Sequence, residues 1–315
     1  QRNKEDLARP PLITFGYNKD HRPDLKQLVY SLAVSADGAV PVHYKLYDGN
    51  KTDDKVHIET WKTIREIAGR PDFTYVADSK LCTRENMGFI AEQGGVFVTV
   101  LARSRQEDDA FRAYIQDHPI AWEEVRREAD DDPDKPAKTY EAFGGAERSA
   151  EGYRVVWHRS SVKRAIDETR RADRISRAKM RIENLEQRTG SHRFRTVESA
   201  QKAADQVLQD EGAQRWLKVQ VVESSVQDFK QASPGRPGRD TVFRRVDIPI
   251  FLFQVEDLAD AIRADAKCDG LFAMVTNHEK LTPTELLAVY KYQPFLEKRN
   301  EQLKSVLAVA PVFLK

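Results

Sequence analysis

"FTYVADSKLCTRENMGFIAEQGGVFVTVLA", residues 73–102, is the stretch on which the fold class turns. Residues 73–78 are a short apolar strand pattern that ends in the carboxylate of Asp78. Thr83 stands where a helix N-cap is wanted, ahead of an amphipathic run that ends in paired glycines. "VFVTVLA" is apolar without alternation, the pattern of a strand buried on both faces. Upstream, "LVYSLAVSADGAVPVHYKLYDGN" (28–50) sets two Val/Tyr/Leu-rich runs around Asp37-Gly38, a hairpin signal. "TDDKVHIETWKTIREIAG" (52–69) then reads as a helix with acids in its first turn and Val56, Ile58, Trp61, Ile64 and Ile67 available for burial. Strand, strand, helix, strand, helix, strand predicts an α/β arrangement on a mixed sheet.

The pattern changes after about residue 103. "READDDPDKPAK" (127–138) is an acidic, Pro-bearing loop. Residues 160–190 predict a long helix whose stripe of Ile175, Ala178, Ile182 and Leu185 is buried. Between Arg154 and Arg195, thirteen Lys and Arg face five Asp and Glu, so this stretch is locally basic. A shorter helix is expected over about 197–210, with strands at "WLKVQVVE", "VFRRVDIPIFLFQVE" and "GLFAMVTN". "QASPGRPGRDT" (231–241) reads as a flexible Gly/Pro linker.

The bulk numbers exclude more than they assign. The 315 residues suffice for one large core or two smaller ones, and the net charge of +1 selects no partner. No apolar run of about 20 residues exists, so a spanning helix is not expected, and the polar start is unlike a signal peptide. Cys82 and Cys268 are far apart and lack a CxxC partner, which fits reduced thiols and a cytoplasmic location. The seven histidines are scattered, with no zinc-ligand spacing.

"YKYQPFLEKRNEQLK" (290–304) is the most unusual stretch. Tyr290, Gln293, Glu297 and Lys304 are three, four and seven residues apart, so they return to nearly one helical face. A surface helix ordinarily does this with apolar residues; here the positions hold a phenol, an amide, a carboxylate and an ammonium. The preceding "TPTELLAVY" opens a helix, with Thr282 as cap, Pro283 at the first position and Glu285 closing a capping box. Pro294 clashes with the carbonyl of Tyr290, so a kink or a restart is expected there.

These residues resemble the Tyr-x2-Arg-x3-Glu-x6-Lys signature of DDE transposases from bacterial insertion sequences, in the insertion sequence 4 group, with Gln293 in place of Arg. "GYNKDHRPDLKQL" (16–28), "DGNKTDD" (48–54) and "VADSKLCTRENM" (76–87) resemble three further segments of that family, in the family's order. The resemblance implies an RNase H-like mixed-sheet core over residues 11–103, an α+β insertion domain over 104–280 and a return to the core over 281–315. It makes Asp78 the second and Glu297 the third catalytic carboxylate, ligands of a two-metal Mg²⁺ or Mn²⁺ site. Hard divalent ions take oxygen ligands and stabilise charge on a phosphodiester under attack. Tyr290, Gln293 and Lys304 become supporting groups on DNA phosphates, and Arg22, Arg236 and Arg239 candidate DNA contacts. The implied partners are double-stranded DNA, at insertion-sequence ends and target, and further copies of the chain.

The family's first catalytic Asp sits in an Asp-Thr-Thr-like strand that has no counterpart in residues 1–15. The chain is therefore expected to be a truncated, inactive transposase, lacking its central strand. The alternative is a non-catalytic DNA-binding or oligomerising remnant that inhibits intact relatives; a metal-dependent nuclease on the same fold is a third reading. Plainer readings stand beside each residue. Asp78 is also suited to cap the following helix, and Glu297 and Lys304 to an ordinary solvated face. "PGRPGR" (234–239) is either a partial minor-groove hook or a basic linker, and the Arg-rich helix either tracks phosphates or pairs with its own acids.

Overall fold

The computed structural model describes residues 10–17, 23–52, 56–130, 132–144, 147–187, 194–232 and 234–292. The chain divides into two compact units, one of residues 1–114, 119–160 and 271–315, the other of 115–118 and 161–270.

In the first unit, β1 (Thr14–Phe15), β2 (Lys26–Val34) and β3 (Pro41–Asp48) make an antiparallel sheet in that order. The β2–β3 turn is the expected Asp-Gly hairpin, with Gly38 and Ala39 at positive φ of 108° and 54°. Helix α1 (His57–Ala68) follows and stops at Gly69, whose left-handed backbone lets its N–H reach Arg65 O. Then come β4 (Thr74–Ala77), α2 (Arg84–Glu92) and β5 (Val96–Val100), with β4 and β5 parallel. The chain continues through α3 (Gln106–Asp117), β6 (Glu123–Glu128), β7 (Lys138–Phe143) and β8 (Arg154–Ser160). After the second unit it returns as β11 (Leu271–Thr276) and α7 (Pro283–Tyr290).

Six of these strands form one mixed sheet in the order β4-β5-β11-β8-β7-β6, parallel only between β4 and β5. The expected boundary at residue 103 thus falls beside a sheet that continues across it. β11, expected as a strand of the insertion, and β6, β7 and β8, which the sequence did not announce, all fall within the expected insertion range of 104–280 and pair into the sheet of β4 and β5. Its core is dry: Phe97, Val98, Val156, Trp157, Met274 and Val275 are all at most 1% exposed. Each such side chain contributes about 1.5–3 kcal/mol by leaving water. Phe111 stacks flat on Trp157 with ring centroids 3.9 Å apart. Of the expected acidic loop at 127–138, Arg127, Glu128 and Lys138 are strand residues and only the stretch between them connects β6 and β7, which pair antiparallel.

The second unit holds α4 (Ser161–Glu186), α5 (Val197–Glu211), β9 (Leu217–Gln231), β10 (Phe243–Asp257) and α6 (Ala259–Ala266). Helix α4 buries Ala178, Ile182 and Leu185, with Ile175 beside them, as its stripe predicts. Helix α5 is fixed by a reciprocal capping box between Thr196 and Ser199 and by Gly212 in the left-handed region. β9 and β10 pair antiparallel along all 15 residues of each, from Leu217↔Asp257 to Gln231↔Phe243, with Pro249 opposite Ser225. The "QASPGRPGRDT" segment is therefore the turn of a long hairpin and not a linker; Ala232 N donates to Val242 O at 2.9 Å across its mouth. The composition of a flexible linker and of a hairpin end is the same, and only the pairing of the flanks separates them.

Candidate functional site

Asp78 is exposed and follows directly on β4, at the carboxyl end of the parallel pair. In open α/β sheets that end is where ligands collect. Its backbone is held from two sides: Asp78 O accepts from Leu81 N at 3.1 Å and from Thr99 Oγ1 on β5 at 2.7 Å. Its Oδ1 accepts from Lys80 N at 2.9 Å, a local turn contact that leaves the carboxylate facing outward. Asp78 does not cap α2. That role falls to Thr83, whose side chain accepts from Asn86 N at 3.1 Å, so the capping reading of Asp78 is corrected.

Beneath Asp78 lies Tyr75, whose hydroxyl is 3.2 Å from His57 Nδ1. Burial pushes the Tyr75 phenol well up, and the nearby Tyr47 and Asp78 push it further, so it stays protonated. On the loop that follows, burial raises Cys82, which makes it a poor nucleophile. Arg105 next to it donates to Glu107 and Glu151, both at 2.7 Å. The Arg105 guanidinium holds Glu107 down at about 2. The three side chains are 13–19% exposed and fully paired, a brace for the segment after β5. Sequence reasoning missed this brace, because Glu151 is 46 residues from Arg105 and no local spacing announces it.

Helix α7 is built as its sequence predicts. Thr282 Oγ1 accepts from Glu285 N at 3.2 Å, and Glu285 Oε2 accepts from Thr282 N at 2.8 Å. It ends at Tyr290, the residue whose carbonyl the ring of Pro294 would strike. The half-buried Tyr290 ring packs on the cluster of Val98, Val156, Met274, Leu286 and Leu287, which Val76 of β4 also joins. Tyr290 is thereby a packing residue of the sheet that carries Asp78. Gln293, Glu297, Lys304 and Arg22 lie outside the described residues. Arg236 and Arg239 are exposed in the β9–β10 turn of the second unit.

Two of the quoted motif segments meet. Gln27 Nε2 donates to Tyr17 O at 3.1 Å and to Gly49 O at 2.8 Å, tying "GY" to "DGN". A Cβ on Gly16 would come within 2.0 Å of Gly49 O, so this approach requires glycine. Asp48 Oδ1 accepts from Leu12 N at 2.7 Å, closing the same corner.

For a divalent cation, Asp78 offers one hard, exposed oxygen; among the described residues no three His, Cys, Asp or Glu side chains gather to hold a metal. Nor, among those residues, is any helix long and apolar enough to cross a membrane. Set against protein-family models, curated proteins and solved structures, the chain matches none.

Proposed function

We propose that this chain is the catalytic region of a DDE-type transposase, acting on DNA phosphodiesters with Asp78 and Glu297 as two of its carboxylates. The observation that carries the reading is the placement of Asp78. It is an exposed acid, held by its own backbone, at the carboxyl end of a parallel strand pair. A site for phosphoryl transfer needs that rigidity, because catalysis there is positioning plus electrostatics.

Three further features support it. The four motifs occur in the family's order, and two of them meet at the Gly16–Gly49 corner. The order hairpin, α1, β4, α2, β5 fits an RNase H-like core, in which one more carboxylate-bearing strand lies between hairpin and parallel pair. Among the described residues, β4 pairs with β5 alone and β2 pairs beyond Lys26 and Gln27 with β3 alone, so each sheet has an edge such a strand would join.

Bound Mg²⁺ would supply an activated oxygen nucleophile and stabilise the leaving oxygen. Asp78 would give one ligand, its carboxylate held by the Lys80 N–H and its backbone by Thr99. Tyr290, seven residues before Glu297 in the chain, packs on the sheet that carries Asp78.

The test is Mg²⁺-dependent nicking of a supercoiled plasmid by a version of the protein that carries the family's Asp-Thr-Thr-like first strand, and by its Asp78→Asn and Glu297→Gln variants. Each variant should lose at least about 100-fold in rate, as expected when a metal ligand is removed. Nicking that D78N and E297Q leave untouched would overturn the assignment. Wild-type protein that binds DNA and never cuts it would favour the non-catalytic remnant.

A further inference from the structure

Helices α4 and α5 cover only the inner half of the β9–β10 ribbon, where Val219, Val221, Phe251 and Phe253 are buried. Farther out both faces are open, with Val226 50%, Phe229 65% and Phe243 51% exposed. The charges divide at the same place. The inner rungs, 217–228 and 247–257, carry Lys218 against Glu223, Asp228, Asp247, Glu256 and Asp257. The outer stretch, 229–246, carries Lys230, Arg236, Arg239, Arg244 and Arg245 against Asp240 alone.

The pairing register makes this concentration costly. Lys230 lies directly opposite Arg244, and like charges at that position destabilise a ladder. Asp228, opposite Val246, and Asp247, opposite Gln227, stand two and three rungs inward of that pair, yet none of the five outer cations makes an ion pair among the described residues. A second register effect distributes the cations. Lys230 and Arg244 point to one face, while Arg245 shares the other with Phe229 and Phe243; Arg236 and Arg239 occupy the turn between.

We propose that the outer half of this ribbon is a duplex-DNA-binding element that enters a groove and contacts phosphates on both walls. A flat anionic surface would meet one face of the ribbon; cations on both faces and at the end suit a cleft with two charged walls. The major groove of B-DNA is about 12 Å wide and admits a two-stranded ribbon. Phe229 and Phe243, diagonal neighbours on the Arg245 face, offer apolar contact to thymine methyls. The proposal shares its ligand with the function proposed above but rests on different residues in the other unit, and its test uses binding without cleavage.

Binding of the whole chain to a labelled random-sequence 30-base-pair duplex is measured in EDTA at several salt concentrations. The variant K230Q/R236Q/R239Q/R244Q/R245Q should bind on the order of 100-fold more weakly, with a log–log salt slope shallower by about 4. The control R164Q/R170Q, exposed cations on α4, should stay within about threefold of wild type. The charge-preserving pair Lys230→Arg/Arg244→Lys should bind as wild type, which separates charge from folding. Wild type that ignores the duplex, or a five-site variant that binds it normally, overturns the proposal. So does loss of binding to phosphatidylserine vesicles with duplex binding intact, which would assign the ribbon to a membrane surface. Because EDTA removes cleavage, a chain that binds through the ribbon but never nicks plasmid sinks only the enzyme reading. D78N-sensitive nicking beside an indifferent ribbon sinks only this one.

Discussion

Helix α4 and the end of the β9–β10 ribbon look alike in sequence, since both are rich in Lys and Arg, yet the fold treats them in opposite ways. On α4 five of the eight cations pair with carboxylates, while Arg164, Arg170 and Arg174 are exposed. Arg177 and Arg181 reach Glu211 at 2.9 and 2.8 Å, Arg181 also reaches Asp210, and Lys179 reaches Asp257 at 2.7 Å. Arg171 goes furthest, giving two bonds of 2.7 Å to the buried Asp269. Only Lys163–Asp167 among these is the expected pair four residues apart on the helix; the rest cross to other elements. On the ribbon no carboxylate answers. A count of basic residues therefore says little about an anion-binding surface until the partners of each are known.

The contrast is sharpest at Arg171–Asp269. Both side chains are at most 10% exposed, so deleting one strands the other's charge in the interior. Asp269→Ala should cost about 3–5 kcal/mol in urea unfolding. A loss well below 1 kcal/mol would mean that water reaches Arg171 and that this pair resembles its exposed neighbours.

A buried base that stays neutral gives the next largest effect. Burial holds the imidazole of His158 down at about 4, against the pull of the Pro283 and Val156 carbonyls at 3.3 and 3.2 Å. The unfolded chain then binds a proton near pH 6.5 that the folded one refuses until about 4. Stability from this group is complete above 6.5 and falls as pH drops through that window, by about 3 kcal/mol in all. His158→Gln should flatten that part of the stability–pH curve, read by urea melts at pH 7 and pH 4.5. An unchanged slope would place the acid sensitivity elsewhere.

The smallest effect is expected where charge is exposed and already answered. Arg177→Gln with Arg181→Gln should leave duplex affinity within about twofold, because these guanidiniums are held by α5 carboxylates and only weakly available to phosphates. A loss like that of the ribbon variant would erase the distinction between the two basic surfaces.

Much of the local structure was legible. The β4–α2–β5 run follows from strand length and the Thr83 cap, the β2–β3 hairpin from Asp37-Gly38, and α4 from its 3.6-residue stripe. What could not be read was which strands pair. β11 joins β5 and β8 from far along the chain, and a strand carries no local mark of its neighbour. β9 extends past Glu223 through "SSVQDFKQ", polar residues that the pairing with β10 holds extended against their own preference. At the candidate site, Asp78 was legible as the acid ending an apolar strand. The Arg105–Glu107–Glu151 brace was not, since it is assembled from separate segments.

Pro249 gives the ribbon a property that its charges do not. A hairpin of two 15-residue strands has two backbone edges; Gln201 caps Val219 O and Val221 N on one and Glu186 accepts from Phe253 N on the other, which leaves the outer half as a template on which another molecule's strand could zip. Proline has no amide hydrogen, and within a ladder it is tolerated where that missing donor faces away from the partner strand. Midway along β10, Pro249 therefore interrupts the outer edge, so a second strand laid there finds a gap after a few residues. The arm can reach about 50 Å, at 3.4 Å per residue, without offering that edge as a continuous seed for fibrils.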